Sequence, residues 1–135
     1  MTAKEYLIQY QRCKVRIMQA KESLKELDEG IDSLAIDYSG MPHGSGVTSK
    51  VEQYVVRLEH KREPILQRIA ELYGLMMEIA DAVSNVESEL HSELLYYRYI
   101  VGLPWDQVAE ALGYEEGYVR GTLHGKALQL LKYDT

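Results

Sequence analysis

The sequence predicts an all-α fold: a long, coiled-coil-like helical hairpin followed by a C-terminal module of three shorter helices. Three observations predict it. Apolar side chains at Tyr6, Tyr10, Cys13, Ile17, Ala20, Leu24, Leu27, Ile31, Leu34 and Tyr38 recur in alternating steps of four and three, which draws one seam along a helix. The stretch "SGMPHGSGVTS", rich in glycine and proline, then stops the pattern, and a second long apolar periodicity follows it. Beyond that, apolar runs shorten and are separated by Gly102, Pro104 and Gly113, while no segment shows the two-residue alternation of a strand.

The first helix is expected from about Thr2 to Tyr38, since it holds no proline and one glycine, Gly30. At ~1.5 Å per residue it reaches roughly 50 Å. The loop is expected over residues 39–49, where Gly40, Pro42, Gly44 and Gly46 cannot sustain a helix. Thr48 or Ser49 is a good N-cap for a second helix starting near Lys50. Its seam is weak at Val51, Tyr54 and Leu58 and regular through Ile65, Leu72, Met76, Ile79 and Val83. Pro64 falls inside it, and a proline in a straight helix costs on the order of 3 kcal/mol, so a kink or a break is expected there. A short loop between two long helices implies antiparallel packing.

The domain boundary is expected at residues 85 and 86, with the hairpin over 1–85 and the helical module over 86–135. Ser84 and Asn85 are the candidate caps for a third helix of about Val86 to Val101. A short helix follows over Pro104 to Leu112, then a turn, then a last helix of Glu116 to Lys132.

Composition excludes several classes of function. The chain has 135 residues, 46% apolar and 27% charged, as in an ordinary folded domain. No apolar run is long enough to span a bilayer, and the charged N-terminus is unlike a signal peptide. A lone cysteine, Cys13, has no disulfide partner, and its seam position predicts a packed thiol in a protein of the reducing cytoplasm. The four histidines lack ligand spacing, so no metal is expected. "GMPHGSG" lacks the lysine and hydroxyl of a phosphate loop, so no cofactor is expected either. Glu26 and Glu29, and Glu78 and Asp81, pair carboxylates one helical turn apart, as in Mg²⁺-dependent enzymes. Alternating charges of this kind read more simply as a solvated face, and no enzymatic activity is expected.

The stretch "LPWDQVAEALGYEEGYVRGTLHGKAL" carries the sharpest pattern. A small residue, Ala109, allows a second helix to cross closely. Gly113, four residues later, suits a turn that needs positive φ. Val119, six residues further, plugs the space between the helices, with Trp105, Val108, Leu112 and Leu123 around it. Trp105, Ala109, Gly113 and Val119 thus form the core of a helix-turn-helix. Its second helix would offer Glu116, Tyr118, Arg120, Gly121, His124 and Lys126 to double-stranded DNA. Arg120 is suited to guanine or phosphate, Tyr118 to phosphate or base, His124 and Lys126 to phosphate, and Glu116 to a cytosine amine.

Residues 94–131, with Arg98-Tyr99, Gly102-Leu103, Trp105, Val108-Ala109, Leu112-Gly113, Glu116-Gly117, Val119 and Leu123-His124, resemble region 4 of bacterial sigma factors. With "GMPHGSG" at 40–46, the chain as a whole resembles small phage regulators of the RinA/ArpU kind. That resemblance implies a phage-encoded transcriptional regulator in the bacterial host cytoplasm, acting on promoter DNA or with RNA polymerase.

The charge runs against a simple DNA binder. The net charge is −6, and residues 87–135 carry 8 acidic against 4 basic groups. Glu115 stands at the N-cap, where glutamate caps poorly, and Gly117, Gly121 and Gly125 leave a bare stripe on the reading helix. Oligomerisation through the N-terminal helices would multiply the phosphate contacts. The alternative is a module that mimics region 4 to engage RNA polymerase or a packaging protein, with little direct DNA contact.

Overall fold

A computed structural model describes the backbone of residues 1–39 and 45–134, and the side chains of 1–34 and 50–134. The protein is all-α, with no strand among the described residues. Helix α1 spans Ala3–Ser39 and α2 spans Ser45–Ser84. Helix α3 (89–101) is α-helical over Glu89–Leu95 and widens to a π-helix over Tyr96–Val101. Helix α4 spans Trp105–Leu112. Helix α5 (116–130) is α-helical over Glu116–Tyr118 and His124–Leu130, with a π-helical centre, Val119–Leu123. Among the described residues, no helix is long and apolar enough to cross a membrane.

The loop is shorter than expected, because α2 already starts at Ser45; Thr48 and Ser49 lie inside the helix rather than at its cap. Residues 40–44, His43 among them, and the side chain of Ser45 lie outside the described residues. Pro64 does not break α2, which runs unbroken through it. His60 and Pro64 are both exposed, so the carbonyl that Pro64 deprives of a donor can turn to water.

The chain forms two compact units, and they do not divide at residue 85. One comprises Met1–Val15 and Tyr73–Thr135, the other Arg16–Leu72. The reason lies in the core of the first unit. Tyr6 and Leu7 of α1 and Ile79 and Val83 of α2 are buried in one cluster with Leu94, Leu95, Val108, Val119, Leu123 and Leu131. Both ends of the hairpin therefore belong to the helical module. Side chains from α1 also close the end of α3. Gln11 Nε2 donates to the carbonyls of Tyr99 (3.2 Å) and Ile100 (2.7 Å), and Lys14 Nζ donates to Ile100 (3.3 Å). These last-turn carbonyls lack an intrahelical donor.

The second unit is a plain antiparallel helix pair. Asp28 meets Arg62 at 3.4 Å, and Gly30 lies opposite Leu58, so the two numberings run in opposite directions. Only Ile17 and Leu72 are buried among its described residues. The seam residues Ala20, Leu24, Leu27, Ile31 and Leu34 are half-buried. At the other end of the seam, Cys13 is buried, as its position predicts.

Helix α3 begins later than the sequence suggests. Ser88, not Ser84 or Asn85, is its N-cap, accepting from the His91 amide. Val86 is buried and plugs the turn between α2 and α3.

Candidate nucleic-acid interface

Gly102 ends α3 in the left-handed conformation (φ 88°), with its amide and that of Leu103 both donating to the Tyr97 carbonyl. Pro104 then caps α4. Gly113 ends α4 at φ 78°, as the spacing predicts. The Ala109 carbonyl accepts from the amides of both Gly113 (2.9 Å) and Tyr114 (3.2 Å), a Schellman closure that requires the left-handed residue. Ala109 is 4% exposed and Val119 fully buried, so the two positions that the spacing assigns to close packing are both in the core. Glu115 holds the extended N-cap conformation of α5 without any side-chain cap bond.

Helix α5 buries Val119, Leu123 and Ala127, at steps of four, and Leu131, the extended residue just past its end, is buried too. Side chains four apart drift by ~40° per step on a straight α-helix. The π-helical centre winds more loosely and keeps the row on one side. The glycines at 117, 121 and 125 follow the same four-residue step on the exposed side. A Cβ at Gly121 or Gly125 would meet nothing within 4 Å, so no part of this chain needs the stripe bare.

Glu116, Tyr118, Arg120, Gly121 and Lys126 are all exposed on α5. Tyr118 stacks on Tyr114, with ring centroids 5.8 Å apart. Tyr114 was not among the sequence-derived candidates, although its four-residue offset from Tyr118 across the turn was a readable signal.

His124 departs from its expected role. Its Nε2 lies 2.6 Å from the Tyr99 hydroxyl, and its ring meets the Trp105 ring edge-on at 4.6 Å. Burial, reinforced by the charges of Lys4 and Arg98, lowers its pKa to about 4, against a smaller upward pull from an Arg120 backbone hydrogen bond. Burial also raises the Tyr99 pKa, so the phenol keeps its proton and donates it to the imidazole. A neutral, inward-facing ring does not neutralise phosphate. His124 instead fastens α5 to α3 and α4.

Arg98 is similarly engaged. Its guanidinium lies 4.5 Å over the Trp105 ring, and Nη1 donates to the Leu103 carbonyl at 3.1 Å. Among the described residues of the motif, the exposed cations are thus Arg120 and Lys126, outnumbered by the exposed carboxylates of Asp106, Glu110, Glu115 and Glu116. Among the described residues, no group of three or more His, Cys, Asp or Glu side chains is placed to hold a metal ion.

Compared with protein-family models, curated proteins and solved structures, the chain matches none of them.

Proposed function

We propose that the protein is a phage-type transcriptional regulator that places α5 against promoter DNA, as an oligomer or beside RNA polymerase. The observation that carries this reading is the pairing of α4 and α5 across Gly113. Ala109 and Val119 are buried between the helices, and the Arg120–Gly121–Lys126 side of α5 is left open. Arg120 is the base or phosphate contact, Lys126 a phosphate contact, and Tyr118 a neutral phosphate donor. The bare glycine stripe lets the backbone approach the sugar-phosphate surface closely.

The test is a gel shift with mixed-sequence duplex at low salt. Wild type is expected to bind with a salt-sensitive affinity. Arg120→Ala is expected to weaken binding and flatten the salt slope by about one, while its thermal unfolding stays within about 0.5 kcal/mol of wild type. Absence of salt-sensitive binding by the wild type would sink the direct-reader form.

A second reading rests on a specific observation: Tyr114 and Tyr118 form an exposed aromatic pair flanking in sequence the exposed Glu115 and Glu116, and the Glu115 side chain makes no cap bond. An acidic, aromatic surface suits a protein partner such as RNA polymerase. Polymerase pulldown that survives Arg120→Ala would support this reading, and a partner lost with Arg120 would count against it.

A further inference from the structure

Helix α2 sorts its charges onto opposite flanks. Lys50, Arg57, Lys61 and Arg68 follow one another at steps of seven, four and seven residues, so they share one side of the helix. Glu52, Glu59 and Glu63 repeat the first two steps, displaced by two residues, which puts each carboxylate ~200° round from the matching cation. All seven side chains are exposed. Arg62 is turned instead towards Asp28 of α1, at 3.4 Å. Lys61, one residue before it, points ~100° away. On that side, Leu34 of α1 lines one hollow with Tyr54, Arg57, Leu58, His60 and Lys61, and the Arg57 guanidinium lies 5.7 Å over the Tyr54 ring. Among the described residues, no carboxylate is in ion-pair contact with any of the four cations. The nearest acidic positions by helical register are Glu71, three beyond Arg68, and Glu26, four before the Gly30 that faces Leu58.

A chain of net charge −6 thus keeps a row of four cations clear of its own carboxylates. We infer that this flank is a second nucleic-acid surface, which takes the phosphate backbone of double-stranded DNA independently of α5. The row is ~27 Å long. One strand of a duplex presents a charge every ~3.4 Å of axis, so the row runs past about eight phosphates. Lysine and arginine side chains so placed neutralise phosphates without reading bases. Tyr54, 54% exposed, stands among them with a hydroxyl that can donate to the same backbone. A protein partner is less well served, because a protein interface centres on a desolvated apolar core. Among the described residues of α2 between Lys50 and Arg68, the exposed large hydrophobics are Tyr54, Val56 and Leu66, and the last two lie ~100° or more off the row. The row belongs to the Arg16–Leu72 unit and α5 to the other unit, so the two surfaces can be removed one at a time.

The test uses the full chain, in fluorescence anisotropy with labelled mixed-sequence duplex over a salt series, with circular dichroism to establish folding. Arg57→Gln/Lys61→Gln is expected to weaken binding about tenfold and to lower the salt slope by about two, equally on unrelated sequences. Lys21→Gln/Lys25→Gln removes the same charge from the other helix of the unit and is expected to leave the slope unchanged. A slope lowered equally by both pairs would reduce the effect to net charge and overturn the proposal. So would a slope untouched by Arg57→Gln/Lys61→Gln, or a wild type that binds no duplex. Polyglutamate that competes as well as duplex at matched charge would also overturn it and mark an acidic protein as the partner. Binding lost with Arg120→Ala/Lys126→Ala and unchanged by Arg57→Gln/Lys61→Gln overturns it and leaves α5 as the reader. The reverse pattern upholds it and removes the direct-reader role of α5.

Discussion

His124 shows how one side chain changes meaning once its neighbours are known. On a helix drawn from the sequence it lies among the DNA-facing residues. In the fold it is packed between Tyr99 and Trp105 with its pKa lowered to about 4. The linkage has a definite sign. The unfolded chain takes up a proton near pH 6.5 and the native chain only near 4, so stability is fully present above about 6.5 and is lost as the pH falls towards 4. Chemical denaturation between pH 7 and 4 should therefore show a falling midpoint. His124→Phe, which cannot protonate, should flatten that part of the profile. An unchanged slope in the variant would mean that the ring is not held neutral.

At the scale of elements, the glycines of the motif divide into two kinds. Gly113 is required by conformation, since its φ is 78°. Gly113→Ala should cost about 1 kcal/mol or more, because the left-handed backbone strains any Cβ. Gly121 and Gly125 have helical backbones and open space around them. Gly121→Ala and Gly125→Ala should each raise stability by about 0.5–1 kcal/mol, measured by urea unfolding. If the stripe serves close approach of DNA, the same substitutions should weaken the gel shift while stabilising the fold. Stronger folding with undiminished binding would show that the bare stripe has no part in DNA contact.

The whole molecule is organised so that the candidate DNA-binding module is not separable at residue 86. Tyr6, Leu7, Ile79 and Val83 are each 2% exposed or less within its core, and burial of a large apolar side chain contributes about 1.5–3 kcal/mol. Against a typical net stability of about 5–15 kcal/mol, their loss is decisive. A fragment of residues 86–135 should show no cooperative thermal transition, and adding a peptide of residues 1–15 alone should not restore one. A cooperative transition in that fragment would mean that the hairpin ends are dispensable.

The all-α class, the two long helices, the glycine turn at Gly113 and the core positions Ala109 and Val119 were legible in the sequence. Each is set by a local rule: a seam period, a breaker, or a backbone angle that one residue type favours. The cap of α3 was misplaced by a few residues, because Ser84, Asn85 and Ser88 are all competent caps and only the burial of Val86 chooses among them. Leu7 falls off the heptad seam, yet it is fully buried, because its neighbours come from the helical module rather than from the opposite helix alone. The roles of Gln11, Arg98 and His124 had no sequence signal. Their partners lie from 5 to 89 positions away, and whether a polar side chain faces solvent or a carbonyl depends on which helix packs over it. Local periodicity determined which segments are helices and which turn joins α4 to α5. Tertiary packing alone decided which cations of the motif stay exposed, because hydrogen bonding and ring contact engage Arg98 of α3 and burial keeps His124 of α5 neutral.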